Sequence, residues 1–145
     1  MIPIAISMGD PAGIGPEVLC AALDDANLRS RIRPLVFGDA RVWAAACERM
    51  GVPDRLPRIR PDAPLPAEGA LVEISSLDEV TFGKPSAEGG RAQKAYLEAA
   101  LRCVTSGQAR ALCTGPIHKA SIRAAGFPFP GHTEFLRDSL GAERV

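Results

Sequence analysis

At 145 residues the chain has the length of one domain and can bury a real core. Its 46% apolar and 23% charged residues exclude a disordered chain. Lys plus Arg and Asp plus Glu both number 17, and aromatics are only 5%, so neither a basic footprint nor a base-stacking platform points to nucleic acid or a membrane surface.

Ile2 to Met8 is a short apolar run ending at Gly9, the pattern of a buried strand. No basic segment accompanies it, and it is too short for a signal peptide or a membrane span, so a cytoplasmic protein is expected. GDPAGIGPE follows, then VLCAALDDANL, which reads as a helix with Pro16 at its first position and Glu17 near its positive end. Strand, glycine-rich turn and helix start is the plan of an anion-binding loop. The spacing is neither GxGxxG nor GxxxxGK[ST], and a plain tight turn is the competing reading.

Arg33 to Gly38 is a second strand, and Asp39 is placed to cap a helix that Gly51 closes. Trp43 and Cys47 share a face of that helix and are assigned to the core. Pro53 to Gly69, rich in proline and arginine, has no period and reads as a loop or meandering edge with solvated arginines. Leu71 to Ile74 is a short strand, and Asp78 to Pro85 is a break. Ser86 to Gly107 carries the longest helical period, through Ala92, Ala95, Tyr96, Ala99, Ala100 and Cys103. The four cysteines are far apart, form no CxxC pair and lie in apolar segments, so buried free thiols are expected rather than a zinc site or disulfides.

Ala109 to Thr114 reads as a buried strand leading into TGPIHKASIRAAGFPFPGHTEF, which holds both histidines, His118 and His132. Glycines and prolines divide this stretch into tight loops that hold polar side chains in set directions. A short helix over Ala120 to Ala125, a stop at Gly126, a stiff FPFPGH loop and a last helix over TEFLRDSLG are expected, with Thr133 or a neighbour as cap. Strands alternating with helices predict an α/β fold with a layered, mostly parallel sheet, whose ligands bind beyond the carboxyl ends of the strands. If the strands before Gly9 and Gly115 share the sheet, the two loops lie on one edge.

SMGDPAGIGPE, TGPIHK and FPGHTEFL, joined by GGRAQKAYLEAAL, together resemble the 4-hydroxythreonine-4-phosphate dehydrogenase (PdxA) family across almost the whole chain. The resemblance implies a two-domain fold of the isocitrate and isopropylmalate dehydrogenase type, here with an incomplete second domain: residues 1–114 as the first domain and 115–145 as the start of the second. It implies NAD(P)-dependent oxidation of 4-phosphohydroxy-L-threonine in pyridoxal phosphate (vitamin B6) synthesis, by a homodimer that uses a divalent metal such as zinc, magnesium or cobalt. Its substrate-contacting histidine and threonine fall on His132 and Thr133. An imidazole and a hydroxyl side by side can hydrogen-bond substrate oxygens at neutral pH; the bland reading of His132 is a helix cap.

Lys119 is a second candidate, for an anionic group, or else a solvated charge. Asp10 could line the cleft, though fixing its turn is the favoured role, and His118 is expected to orient its loop. No catalytic group is assigned. The family's metal ligands are expected after Val145, so no metal ligand is assigned within the chain. The chain is therefore expected to be the N-terminal part of a member, inactive alone. The alternatives are a paralogue oxidising threonate or erythronate 4-phosphate, and a non-catalytic binding or dimerisation domain.

Overall fold

β1 (Ile2–Ser7) is apolar up to its last residue, and it occupies an interior place in a sheet that both faces cover. The computed structural model describes residues 1–142 and contains a five-stranded sheet. After β1 come β2 (Ile32–Asp39), β3 (Arg58–Ile59), β4 (Ala70–Ser75) and β5 (Ala111–Thr114), in the spatial order β3-β4-β2-β1-β5. Every pairing is parallel, with Ser7 beside both Phe37 and Thr114. The α/β class with parallel pairing is therefore as the sequence indicates.

The helices follow their local signals with a few departures. Where one helix was expected after Gly15 there are two, α1 (Gly15–Asp24) and α2 (Ala26–Arg31). Asp25 divides them, because its carboxylate accepts from the N–H groups of Asn27 and Leu28 and so starts a new helix. α3 (Ala40–Met50) is capped by Asp39 and ends at Gly51 with φ +66°, while Trp43 and Cys47 are buried. α4 (Ala87–Thr105) begins at Ser86, whose hydroxyl accepts from Gly89 N–H. α5 (Lys119–Ala124) and α6 (His132–Leu140) complete the described chain.

The proline-rich segment contributes only the two-residue edge strand β3, and Arg58 there pairs with Asp54. The strand expected to be buried before Thr114 is instead an outer strand, half-exposed along its length. Strand order is a long-range property, and a run such as ALCT reads alike at the centre and at the edge. For the same reason Cys113 is exposed, whereas Cys20, Cys47 and Cys103 are buried.

β1, β2 and β4 succeed one another in one direction, so right-handed crossovers place α1 and α3 on one face. The return from β4 to β5 reverses direction and puts α4 on the other, where Ala99 and Cys103 of α4 join Phe37 and Val72 in one buried core. The main core lies between these layers. Beyond the sheet, Leu97 and Leu101 of α4 form a second apolar cluster with Ile122, Phe127 and Phe135.

Candidate functional site

The turn after β1 leads to α1 on one face, while the turn after the adjacent β5 leads to α5, which packs on α4 at the other. Neighbouring strands whose connections diverge in this way create a crevice at their carboxyl ends. The sequence expectation that the two glycine-containing loops share one edge holds. The loops are also interlocked: Asp10 N–H donates to the Pro116 carbonyl at 2.9 Å, and Gly115 N–H donates to Ser7 O at 2.8 Å. Side chains are excluded there, since a Cβ on Gly9 would sit 2.3 Å from Pro116 O and one on Gly115 2.5 Å from Met8 O.

The first turn does not present an anion cradle. Asp10 is buried, its Oδ1 accepts from Ala12 N–H at 3.1 Å, and Gly13 N–H donates to Asp10 O. Three N–H groups that could have faced an anion are thus spent within the interlocked turns. The plain-turn reading is the one observed, and Asp10 fixes the turn.

The second loop and the last helix form an open concavity of about 310 Å³, lined by Ile117, Lys119 and residues Pro130 through Glu134. His132, Thr133 and Lys119 therefore meet at one place, and Asp10 does not join them. Gly131 is the N-cap of α6 and makes no side-chain bond, so neither Thr133 nor His132 caps the helix; His132 opens it and Thr133 follows, exposed. Among the described residues, Nε2 of His132 is buried without a hydrogen-bond partner. Burial, and then the Lys119 charge, holds this imidazole below the usual histidine range, so it is neutral at pH 7. Lys119 is exposed, and among the described residues no carboxylate lies within ion-pair distance of it.

The supports of this concavity are apolar and local. Phe135, one turn beyond His132, is buried, and its ring centroid lies 5.2 Å from that of Phe127 and 5.5 Å from that of Phe129. These rings anchor both the FPFPGH loop and α6. His118 behaves as expected of a loop-orienting residue, since its Nδ1 accepts from Ser121 N–H at 3.2 Å and caps α5. Sequence reasoning passed over Gln93, a fully buried side chain whose Oε1 accepts from His118 N–H at 2.8 Å. Its signal was a polar residue on the apolar stripe of a helix, three before Tyr96.

A more enclosed hollow of about 180 Å³ lies between α1, α3 and the proline-rich segment, walled by Leu23, Trp43 and Leu56. Arg29 and Arg55 in its lining both pair with Asp24, which leaves Glu68 as its one charged side chain outside those pairs.

The class defined by this fold and concavity is a parallel α/β domain with its polar site at the carboxyl edge of the sheet. The chain belongs to the family described as pyridoxal phosphate biosynthetic protein PdxA, matching it over residues 30–145. It is 39% identical to a 4-hydroxythreonine-4-phosphate dehydrogenase of Trichlorobacter lovleyi, with 93% of this chain and 42% of the relative aligned. It is 36% identical to a D-threonate 4-phosphate dehydrogenase of Cupriavidus necator, over 98% of this chain and 44% of the relative. A crystal structure of a 4-hydroxythreonine-4-phosphate dehydrogenase from Burkholderia phymatum superposes with a TM-score of 0.85 at 32% identity, covering 99% of this chain and 45% of that one. The chain thus spans less than half the length of the relatives it matches.

Proposed function

We propose that the concavity around His132 is the substrate-contacting part of an NAD(P)-dependent oxidation of 4-phosphohydroxy-L-threonine, serving pyridoxal phosphate synthesis in a cytoplasmic homodimer. The observation that carries this reading is the buried Nε2 of His132, which is left without a partner beside Lys119 and Thr133. Buried polar groups are nearly always bonded, and the unpartnered Nε2 belongs to a residue that lines the concavity, so a small turn of the ring would bring it to a ligand there. A neutral imidazole and the Thr133 hydroxyl would hydrogen-bond the substrate's hydroxyl and carboxylate oxygens. The Lys119 ammonium would hold its phosphate or carboxylate.

The family implies a nicotinamide and a divalent metal. Among the described residues no three His, Cys, Asp or Glu side chains converge to hold a metal. In the Gly9–Gly15 turn the N–H groups of Asp10, Ala12 and Gly13 are already bonded within the interlocked loops. The described residues therefore offer no metal-ligand cluster, and the glycine-rich turn has few donors left for a nicotinamide's phosphates. In this reading the 145 residues supply substrate contacts and do not turn over alone, because more than half of each matched relative lies outside the aligned part.

A second substrate, D-threonate 4-phosphate, is favoured by the relative of that name at nearly the same identity. The two acids share the phosphate, the carboxylate and one hydroxyl that Lys119, His132 and Thr133 would contact. Affinity for both, measured on the unaltered chain and on His132→Ala, tests the reading and ranks the substrates. We expect binding to weaken at least about tenfold in His132→Ala, the loss of a hydrogen bond from a buried group. Unchanged affinity for both acids would remove His132 from the site. NAD(P)+ reduction by the 145 residues alone, with a divalent metal present, would contradict the expectation that they supply contacts only.

A further inference from the structure

α5 has six residues, too few to hold its own shape, yet it presents Lys119 to the concavity. Two features of α4 fix it in place. Gly90 lets the backbones touch: a Cβ there would lie 2.2 Å from Ser121 O. Gln93, fully buried in the same helix, turns both ends of its amide to this junction. Its Oε1 accepts from His118 N–H at 2.8 Å, and its Nε2 donates to Ser121 Oγ at 3.0 Å and to Gly89 O at 3.3 Å. His118 and Ser121 are the two ends of the α5 cap, joined to each other by Ser121 N–H to His118 Nδ1 and Ser121 Oγ–H to His118 O. One side chain therefore grips both ends of the four-residue segment that contains Lys119.

An apolar residue of the same volume would fill this space without the desolvation cost of an amide. What the amide adds is direction, because its bonds are satisfied in only one arrangement of the cap. We propose that Gln93 is a positioning residue of the candidate site, fixing the helix start that sets Lys119 beside His132. The inference deepens the substrate-pocket reading above and rests on it for its functional meaning.

The test uses Gln93→Leu, which keeps the volume and removes the bonds. Two readouts report on position rather than on fold or turnover. The first is hydrogen exchange at the His118 amide, slow in the unaltered chain and on the order of tenfold faster in the variant, as expected for the loss of one net hydrogen bond. The second is the titration of His132, one of only two histidines. The charged groups lining its concavity are Lys119 and Glu134. When Lys119 is released, His132 titrates closer to an ordinary histidine.

A folded Gln93→Leu chain whose His132 titrates as before and whose His118 amide exchanges no faster overturns the proposal. Should that variant fail to fold, exchange in the unaltered chain decides by itself: a slow His118 amide supports the clamp and a fast one overturns it. Neither readout depends on substrate. A shift in both with no binding of either phosphorylated acid would sink the pocket reading and leave the positioning role intact.

Discussion

Asp10 donates its backbone N–H to the carbonyl of Pro116 at 2.9 Å, tying the turn after β1 to the turn after β5. The bond is possible only because both turns lack side chains at the crossing. Gly9 has φ +80°, and its missing Cβ would fall 2.3 Å from Pro116 O. Gly9→Ala therefore has to separate the loops as well as accept a left-handed backbone, and it should cost at least about 2 kcal/mol. Gly51→Ala is the control. It has φ +66° but nothing within 4 Å, so it should cost about 1 kcal/mol. Urea unfolding of both variants checks the ordering, and equal costs would contradict the interlock.

The pH dependence of stability carries a signature of His132. Burial, and then the Lys119 charge, holds its folded pKa below the usual value, so on acidification the unfolded chain takes up this proton first. Stability then falls as pH drops through the unfolded value of about 6.5, and the loss levels off below the folded one. His132→Gln should flatten that part of the profile. Urea midpoints across the range report it, and an identical slope in the variant would contradict the environment described for His132.

Thiol reactivity should divide the cysteines by place in the fold. Cys113 lies exposed on the outer strand β5. Burial raises the thiols of Cys20 and Cys103, and pushes Cys47 up to about 12. Thiolate is the reactive form, so a disulfide reagent should modify Cys113 alone in the folded chain and the other three only on unfolding. Rapid reaction of Cys47 without denaturant would contradict the packing of α1 on α3.

What could be read from the sequence, and what could not, separates along local and long-range lines. Asp39 and Gly51 announced the two ends of α3 because capping and left-handed geometry depend on a few neighbouring residues. GHTE was legible as a candidate because a scarce histidine and a threonine follow a rigid proline-glycine loop, and Lys119 lines the same concavity as both. The outer position of β5 was not legible, since strand order is decided by crossovers between distant segments. Nor was Gln93, whose role depends on α4 meeting α5 through residues 25 and 28 positions away. The glycine-rich turn shows the opposite failure: its sequence suggested an anion cradle, but the N–H groups of Asp10, Ala12 and Gly13 are taken by Pro116 O, the Asp10 carboxylate and Asp10 O.

The central claim is that His132 faces the substrate while His118 holds the scaffold. It is tested most directly by following the ring protons of both histidines by NMR as 4-phosphohydroxy-L-threonine is added to the 145-residue chain, with D-threonate 4-phosphate in parallel. Weak binding suffices for this measurement. The account predicts that the His132 resonance moves progressively with ligand, that Thr133 moves with it, and that His118, committed to the α5 cap, stays in place. A stationary His132 at millimolar concentrations of both acids, or shifts confined to the Gly9–Gly15 turn, would contradict it.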